Sequence, residues 1–166
     1  TVIAVGEGVT GLDVGSLVAT AEGRASYAEQ FVVPAAAAVQ VPSGITAEVA
    51  AALPLQGLTA HYLATSAARP EPGETVLVHA GAGGVGLLLT QLLTARGVRV
   101  LTTVSTPAKA ELSSTAGAAA VLEYEGFADR AQAIRTLLLS DRSAFVVVSA
   151  PGGDPLRQAV ALTRRL

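Results

Sequence analysis

The chain has 166 residues, enough for a domain with an apolar core, and its 11 Lys and Arg against 13 Asp and Glu leave a net charge of −2. That balance, with no basic run, argues against nucleic acid as a partner. No cysteine is present, which excludes disulfides, thiolate nucleophiles and cysteine-ligated zinc and is compatible with a reducing, cytoplasmic location.

Charged residues make up 14% of the chain, against roughly 25% in a typical soluble domain. Mean hydropathy is correspondingly high, at +0.52. A buried parallel sheet accounts for part of this, since its strands read as continuous apolar runs. The alternative is surface that another body covers. No run of 18 uninterrupted apolar residues occurs, so no membrane partner or span is expected. No signal peptide is visible; because the chain opens on Thr1 and has no methionine, its first residue is not expected to be the translational start.

Residues 1–45 alternate short β-like runs (1–5, 17–20 and 31–34) with Gly-rich turns and show no long helical period. Thr46 suits an N-cap, with Glu48 in the first turn of an Ala-rich helix that is predicted to end at Pro54. A second helix is predicted over 55–67, ahead of the turn Arg69-Pro70-Glu71-Pro72-Gly73. From Glu74 the pattern changes. A β-branched strand over 75–80 runs straight into Gly81-Ala82-Gly83-Gly84-Val85-Gly86, and an uncharged apolar segment follows to Ala95.

Strand, glycine turn and helix in that order form the first half of a dinucleotide-binding βαβ unit, where a pyrophosphate rests on free N–H groups at the helix N-terminus. In this reading Gly81 permits the tight turn, Gly83 lets the backbone approach the phosphates, and Gly86 lets the helix pack closely on the strand. A lone Gly-x-Gly-x-x-Gly also occurs in structural turns. Here a second strand over 98–104 completes the unit. A helix capped by Thr106 with Pro107 at its first position is predicted to about 114, then a strand over 118–122. A helix over 126–139, a strand over 144–149 and a last helix from Gly152-Gly153-Asp154-Pro155 follow. The fold class is α/β, a Rossmann-type doubly wound parallel sheet with strands 3-2-1-4 of the 3-2-1-4-5-6 order.

The end of the second strand indicates the cofactor. An NAD-preferring unit carries Asp or Glu there to bind the ribose 2′-OH, but Leu101-Thr102-Thr103-Val104-Ser105-Thr106 has no carboxylate. Small hydroxyls such as Ser105, with Lys109 nearby, suit the 2′-phosphate of NADPH. The competing reading of Lys109 is a solvated helix lysine, paired with Glu111 or with nothing.

Gly73-Glu74, Leu77, Gly81-Ala82-Gly83-Gly84-x-Gly86 and Gln91 together resemble the signature of the quinone oxidoreductase (zeta-crystallin-like) family. That family belongs to the zinc-free medium-chain dehydrogenase/reductase superfamily. The segment Leu55-Gln56-Gly57-Leu58-Thr59-Ala60-His61-Tyr62-Leu63 is similar to the one preceding that signature. So is the opening Ala4-Val5-Gly6-Glu7-Gly8-Val9-Thr10, with Ser26-Tyr27-Ala28-Glu29 after it. The likeness covers about residues 2–126 well and the rest loosely; Thr94 departs from the basic or serine residue that usually closes the signature.

The resemblance implies that residues 1–45 are the C-terminal part of a GroES-like catalytic domain and 46–166 a dinucleotide-binding domain. It also implies an incomplete member, without the first strands of the former or strands 5 and 6 of the latter. Lys109 and Tyr124 match family positions that contact the 2′-phosphate, and Thr59 matches one near the nicotinamide. Tyr124 also reads as an ordinary strand-end aromatic, and Thr59 as a helix threonine bonded to its own turn.

His61 and Tyr62 are tempting acid/base groups, but adjacent positions point to different sides of a helix. His79 reads as structural. Gly152-Gly153, after Ser149, sits where a nicotinamide would lie or else forms a plain turn. No acid, base or nucleophile has supporting spacing. This fits a family in which hydride passes directly between nicotinamide and acceptor. The expectation is an NADPH-dependent reductase of a quinone or enone acceptor, as a homodimer or with a complementary chain. The alternative is a non-catalytic nucleotide-binding or scaffold subunit.

Overall fold

The computed structural model describes residues 1–123 and 144–148. It divides the chain into two compact units, Thr1–Leu58 and Thr59–Leu166.

In the first unit, β1 (Val18–Ala19) pairs antiparallel with β2 (Val39–Gln40), Val18 opposite Gln40. The expected strands over 1–5 and 31–34 do not form. Val2 exchanges two backbone hydrogen bonds of 2.9 Å with the turn at Gly15 and Ser16 and goes no further into a ladder. After Pro34 the chain makes a single 3₁₀ turn, Ala35–Ala37, whose three alanines have no branched side chains to favour a pleat. An apolar groove of about 400 Å³, lined by Val2, Ile3, Val5, Val9, Phe31 and Val32 among others, lies within this unit.

The two helices expected either side of Pro54 are one helix, α1 (Ala47–Tyr62), which continues as a π-helical turn, Leu63–Ala67. Thr46 caps it, its Oγ1 accepting from Val49 N at 3.4 Å. Hydrogen bonds from the Glu48 backbone and from Thr46 hold the Glu48 carboxyl below its ordinary pKa. Pro54 removes one N–H and crowds the carbonyl of Ala50, but good helix formers on both sides carry the helix through.

The second unit follows the sequence closely. Its elements are β3 (Thr75–His79), α2 (Gly84–Ala95), β4 (Arg99–Val104), α3 (Pro107–Thr115), β5 (Ala120–Glu123) and β6 (Ala144–Val148). The four strands among the described residues are parallel, in the spatial order β5-β4-β3-β6, which is the 3-2-1-4 order. Val76 and Val78 on β3 and Val100 on β4 pack against Leu89 and Leu93 of α2, with Ala60 and Ala64 in the same core. Every residue of β3 is buried, as a central parallel strand requires. The expected helices over 126–139 and from Gly152 onward lie outside the described residues.

Candidate nucleotide-binding site

Because β3 has β4 on one side and β6 on the other, the strand order reverses at β3. In open α/β sheets ligands bind outside the carboxyl ends of the strands at such a reversal. The chain leaving β3 at that end is the glycine turn. Ala80, with φ +56°, makes the left-handed step, so the turn's unusual conformation falls on an alanine and not on Gly81.

Gly81 is required for another reason. A Cβ there would lie 2.7 Å from Thr102 Cγ2 and 2.9 Å from Ser113 Oγ. Gly81 N donates to Thr103 O at 2.9 Å, and Gly83 N to Ala80 O at 2.9 Å, which fixes both ends of the turn. A Cβ on Gly86 would sit 2.9 Å from the Cα and C of Gly81, with Ala80 O closer still. Its absence lets α2 approach the strand, as the sequence implies.

Gly83 is different. It is the N-cap of α2, with an ordinary φ of −76° and no side-chain hydrogen bond, and a Cβ on it would meet only Ala80 O, at 3.2 Å. The fold therefore tolerates a side chain there, and Gly83 and Gly84 are exposed. Ala82 and Val85 are half-buried. The first-turn N–H groups of Gly84, Val85 and Gly86 lie at the positive end of the α2 dipole, beyond reach of a capping side chain from Gly83. This is a cradle suited to an anion.

At the end of β4, Lys109 Nζ donates to Ser105 Oγ at 3.0 Å. Thr106 caps α3 by accepting from Lys109 N at 3.3 Å, with Pro107 at the first helical position. The structure thus brings Ser105 and Lys109 together, both exposed, at the carboxyl end of the strand next to the glycine turn. Thr59 is exposed on α1, where His61 and Tyr62 are exposed too. Thr65 bonds back to His61 O at 2.8 Å, so His61 sits in ordinary helix-surface packing. Tyr124, Ser149, Gly152 and Gly153 lie outside the described residues.

Sequence reasoning missed the buried polar groups beneath the turn. His79 Nδ1 and Thr103 Oγ1 are 2.8 Å apart, and Ser113 Oγ donates to Thr102 Oγ1 at 2.7 Å, all four residues buried. Burial lowers the His79 pKa from 6.5 to about 4, so the ring is neutral at pH 7. The available signal was Thr102-Thr103 set between the aliphatic residues Val100-Leu101 and Val104, where two neighbouring hydroxyls face opposite sides of the sheet.

Residues 84–165 match the family described as "Zinc-binding dehydrogenase". The chain has no cysteine, and among the described residues no group of three or more His, Asp or Glu could hold a metal, so its residues do not fit a zinc site there. It is 44% identical over 122 residues to a quinone oxidoreductase of Pseudomonas aeruginosa, covering 73% of this chain and 38% of that protein. It is 32% identical over 163 residues to a 2-haloacrylate reductase of a Burkholderia species, covering 96% and 48%. The solved structure of the Escherichia coli quinone oxidoreductase complexed with NADPH superposes with a TM-score of 0.84 at 32% identity, over 95% of this chain and 48% of that one. The chain thus spans less than half the length of each of these relatives. In sequence and in fold the chain is similar to quinone oxidoreductases of the medium-chain dehydrogenase/reductase superfamily.

Proposed function

We propose that this chain binds NADPH and carries the cofactor half of an oxidoreductase of quinone reductase or enoyl reductase type. The observation that carries the reading is the carboxylate-free end of β4, where Lys109 Nζ stands 3.0 Å from Ser105 Oγ. A cation and a hydroxyl suit a 2′-phosphate, which the Asp or Glu of an NAD site would repel. The site residues are Thr59, Gly81, Ala82, Gly83, Gly84, Val85, Gly86, Ser105, Lys109 and Tyr124. Residues 1–45 belong to a GroES-like catalytic domain and 46–166 to the dinucleotide-binding domain. The nicotinamide supplies a hydride when bound, and the acceptor is a small-molecule quinone or an activated C=C bond. This chain's residues contribute binding and orientation: the α2 N-terminus holds the pyrophosphate and Lys109 selects the phosphorylated ribose. The protein acts in the cytoplasm, as a homodimer or paired with a complementary chain.

The test is a fluorescence titration of NADPH and NADH against wild type and Lys109→Ala. A charge-assisted bond at so exposed a position contributes roughly 1.5 kcal/mol, the low end of its range. NADPH is therefore expected to bind about tenfold more tightly than NADH, and Lys109→Ala to erase the difference. Equal affinities in wild type would refute the assignment. NADPH oxidation with a small quinone and, separately, with an enone then tests the acceptor class.

A further inference from the structure

Three residues from different elements meet beneath the glycine turn. Gly81 follows β3, Thr102 lies inside β4, and Ser113 lies on α3, one helical turn beyond Lys109. Ser113 Oγ donates to Thr102 Oγ1 at 2.7 Å. Both side chains are fully buried, and both stand within 3 Å of the place a Cβ on Gly81 would occupy.

The hydroxyl pair therefore does two jobs at one point. It forms the seat on which the first glycine of the turn rests, and it ties α3 to the sheet. Lys109 and Ser113 are four residues apart and so share a face of α3. The Thr106 cap fixes the start of the helix, and the Ser113 bond fixes it one turn past Lys109. The cap is local to the helix, so of these two points it is the Ser113 bond that ties the Lys109 face of α3 to β4.

We propose that Thr102 and Ser113 are positioning residues that set the preference for the 2′-phosphorylated nucleotide. They act by locking α3 to the glycine turn, so that the pyrophosphate cradle and the Ser105–Lys109 pair keep one fixed separation. The proposal rests on the reading of the glycine turn as a dinucleotide site. A ligand that reaches both places, NADPH, feels that separation. A ligand that reaches only the cradle, NADH, does not.

The experiment measures dissociation constants for NADPH and NADH, with thermal midpoints, in wild type, Ser113→Ala, Thr102→Val and the double variant. The singles leave one buried hydroxyl without its partner and are expected to melt earlier. The double variant replaces both hydroxyls with apolar groups and should recover much of that stability. The NADPH-to-NADH affinity ratio is expected to fall about three- to tenfold in both singles and to stay low in the double variant, with NADH affinity unchanged. A merely structural pair predicts a ratio restored together with the midpoint, and that result overturns the proposal. So does an unchanged ratio in any folded variant. If Ser113→Ala fails to fold, the double variant alone decides between these outcomes. Wild type that binds neither nucleotide refutes the dinucleotide site itself, and a wild type that binds both equally refutes the 2′-phosphate reading. Both are separate from loss of the ratio in a variant of a selective wild type.

Discussion

The glycines of the turn are expected to separate into those the fold needs and one the ligand needs. Gly83 has a backbone any residue adopts, and its missing Cβ would stand 3.2 Å from a single carbonyl oxygen. A shift of a few tenths of an ångström accommodates an alanine there. Against that small cost, alanine removes backbone freedom from the unfolded chain, a gain of about 0.4–1 kcal/mol. Gly83→Ala should therefore change stability by less than about 1 kcal/mol, a shift of roughly 2–4 °C or less in the thermal midpoint. Gly86→Ala drives its Cβ into the backbone of Ala80 and Gly81, where nothing flexible yields, and should cost about 3 kcal/mol or more.

Nucleotide binding should order the variants differently. A side chain on Gly83 occupies the approach to the first-turn N–H groups of α2, each worth about 1.5–3 kcal/mol to a charged oxygen. Losing two such bonds weakens binding at least a hundredfold, so Gly83→Val should stay folded and bind NADPH hardly at all. Gly73→Ala is the control. Its φ of +89° makes any side chain strained, at about 1–2 kcal/mol, yet nothing lies within 4 Å of its Cβ, and binding should be untouched. The assays are a thermal melt and a fluorescence titration on each variant. A folded Gly83→Val that binds NADPH like wild type would show that the glycine run is a structural turn and that the anion cradle does not exist.

Two further outcomes follow from the groups around the turn. His79 is buried and neutral, with its pKa lowered to about 4, so between pH 6.5 and 4 the unfolded chain takes up a proton that the folded chain refuses. The His79 contribution to stability is then flat above 6.5, falls by about 2–3 kcal/mol as the pH drops to 4, and levels off below; urea unfolding between pH 6.5 and 4 should show a slope in wild type that is smaller in His79→Gln by that amount. Ala80 holds φ +56° with a Cβ, so Ala80→Gly should relieve strain of about 1 kcal/mol and raise the thermal midpoint, whereas a lowered midpoint would mean the Ala80 methyl is worth more in packing than its backbone costs.

The sheet was legible because each strand of the second unit is a short apolar run bounded by turn residues. The glycine motif, the Thr106 cap and Pro107 then marked where helices begin, and α2 starts and ends where its sequence pattern does. The first unit was less legible. The run over 1–5 has the composition of a strand but makes only the two bonds at Val2. A strand needs a partner in register, and that depends on residues far away in sequence. Pro54 misled for a related reason: its local cost is real, but it is smaller than what the helix on both sides supplies. At the site, the cradle and the Ser105–Lys109 pair follow from local order. The seat under Gly81 does not, because it joins three elements whose side chains meet only after the βαβαβ unit has folded.

That difference bears on how the site keeps its shape. The groups that would touch a ligand sit at exposed strand ends and at a helix terminus, positions that fray readily. Beneath them Thr102 and Thr103 grip the turn from opposite faces of the same strand. Thr102 takes the Ser113 hydroxyl on the side of α3; Thr103 takes the Gly81 N–H on its carbonyl and lies 2.8 Å from the His79 ring on its hydroxyl. A purely aliphatic β4 would bury as much apolar surface and would hold the turn only by its backbone. Two threonines in that strand give up some hydrophobic burial and, in return, fix a Gly-rich segment whose own side chains hold nothing. The hold on the turn therefore lies in the strand next to the motif, and substitution of Thr102 there should alter the choice between NADPH and NADH without touching either.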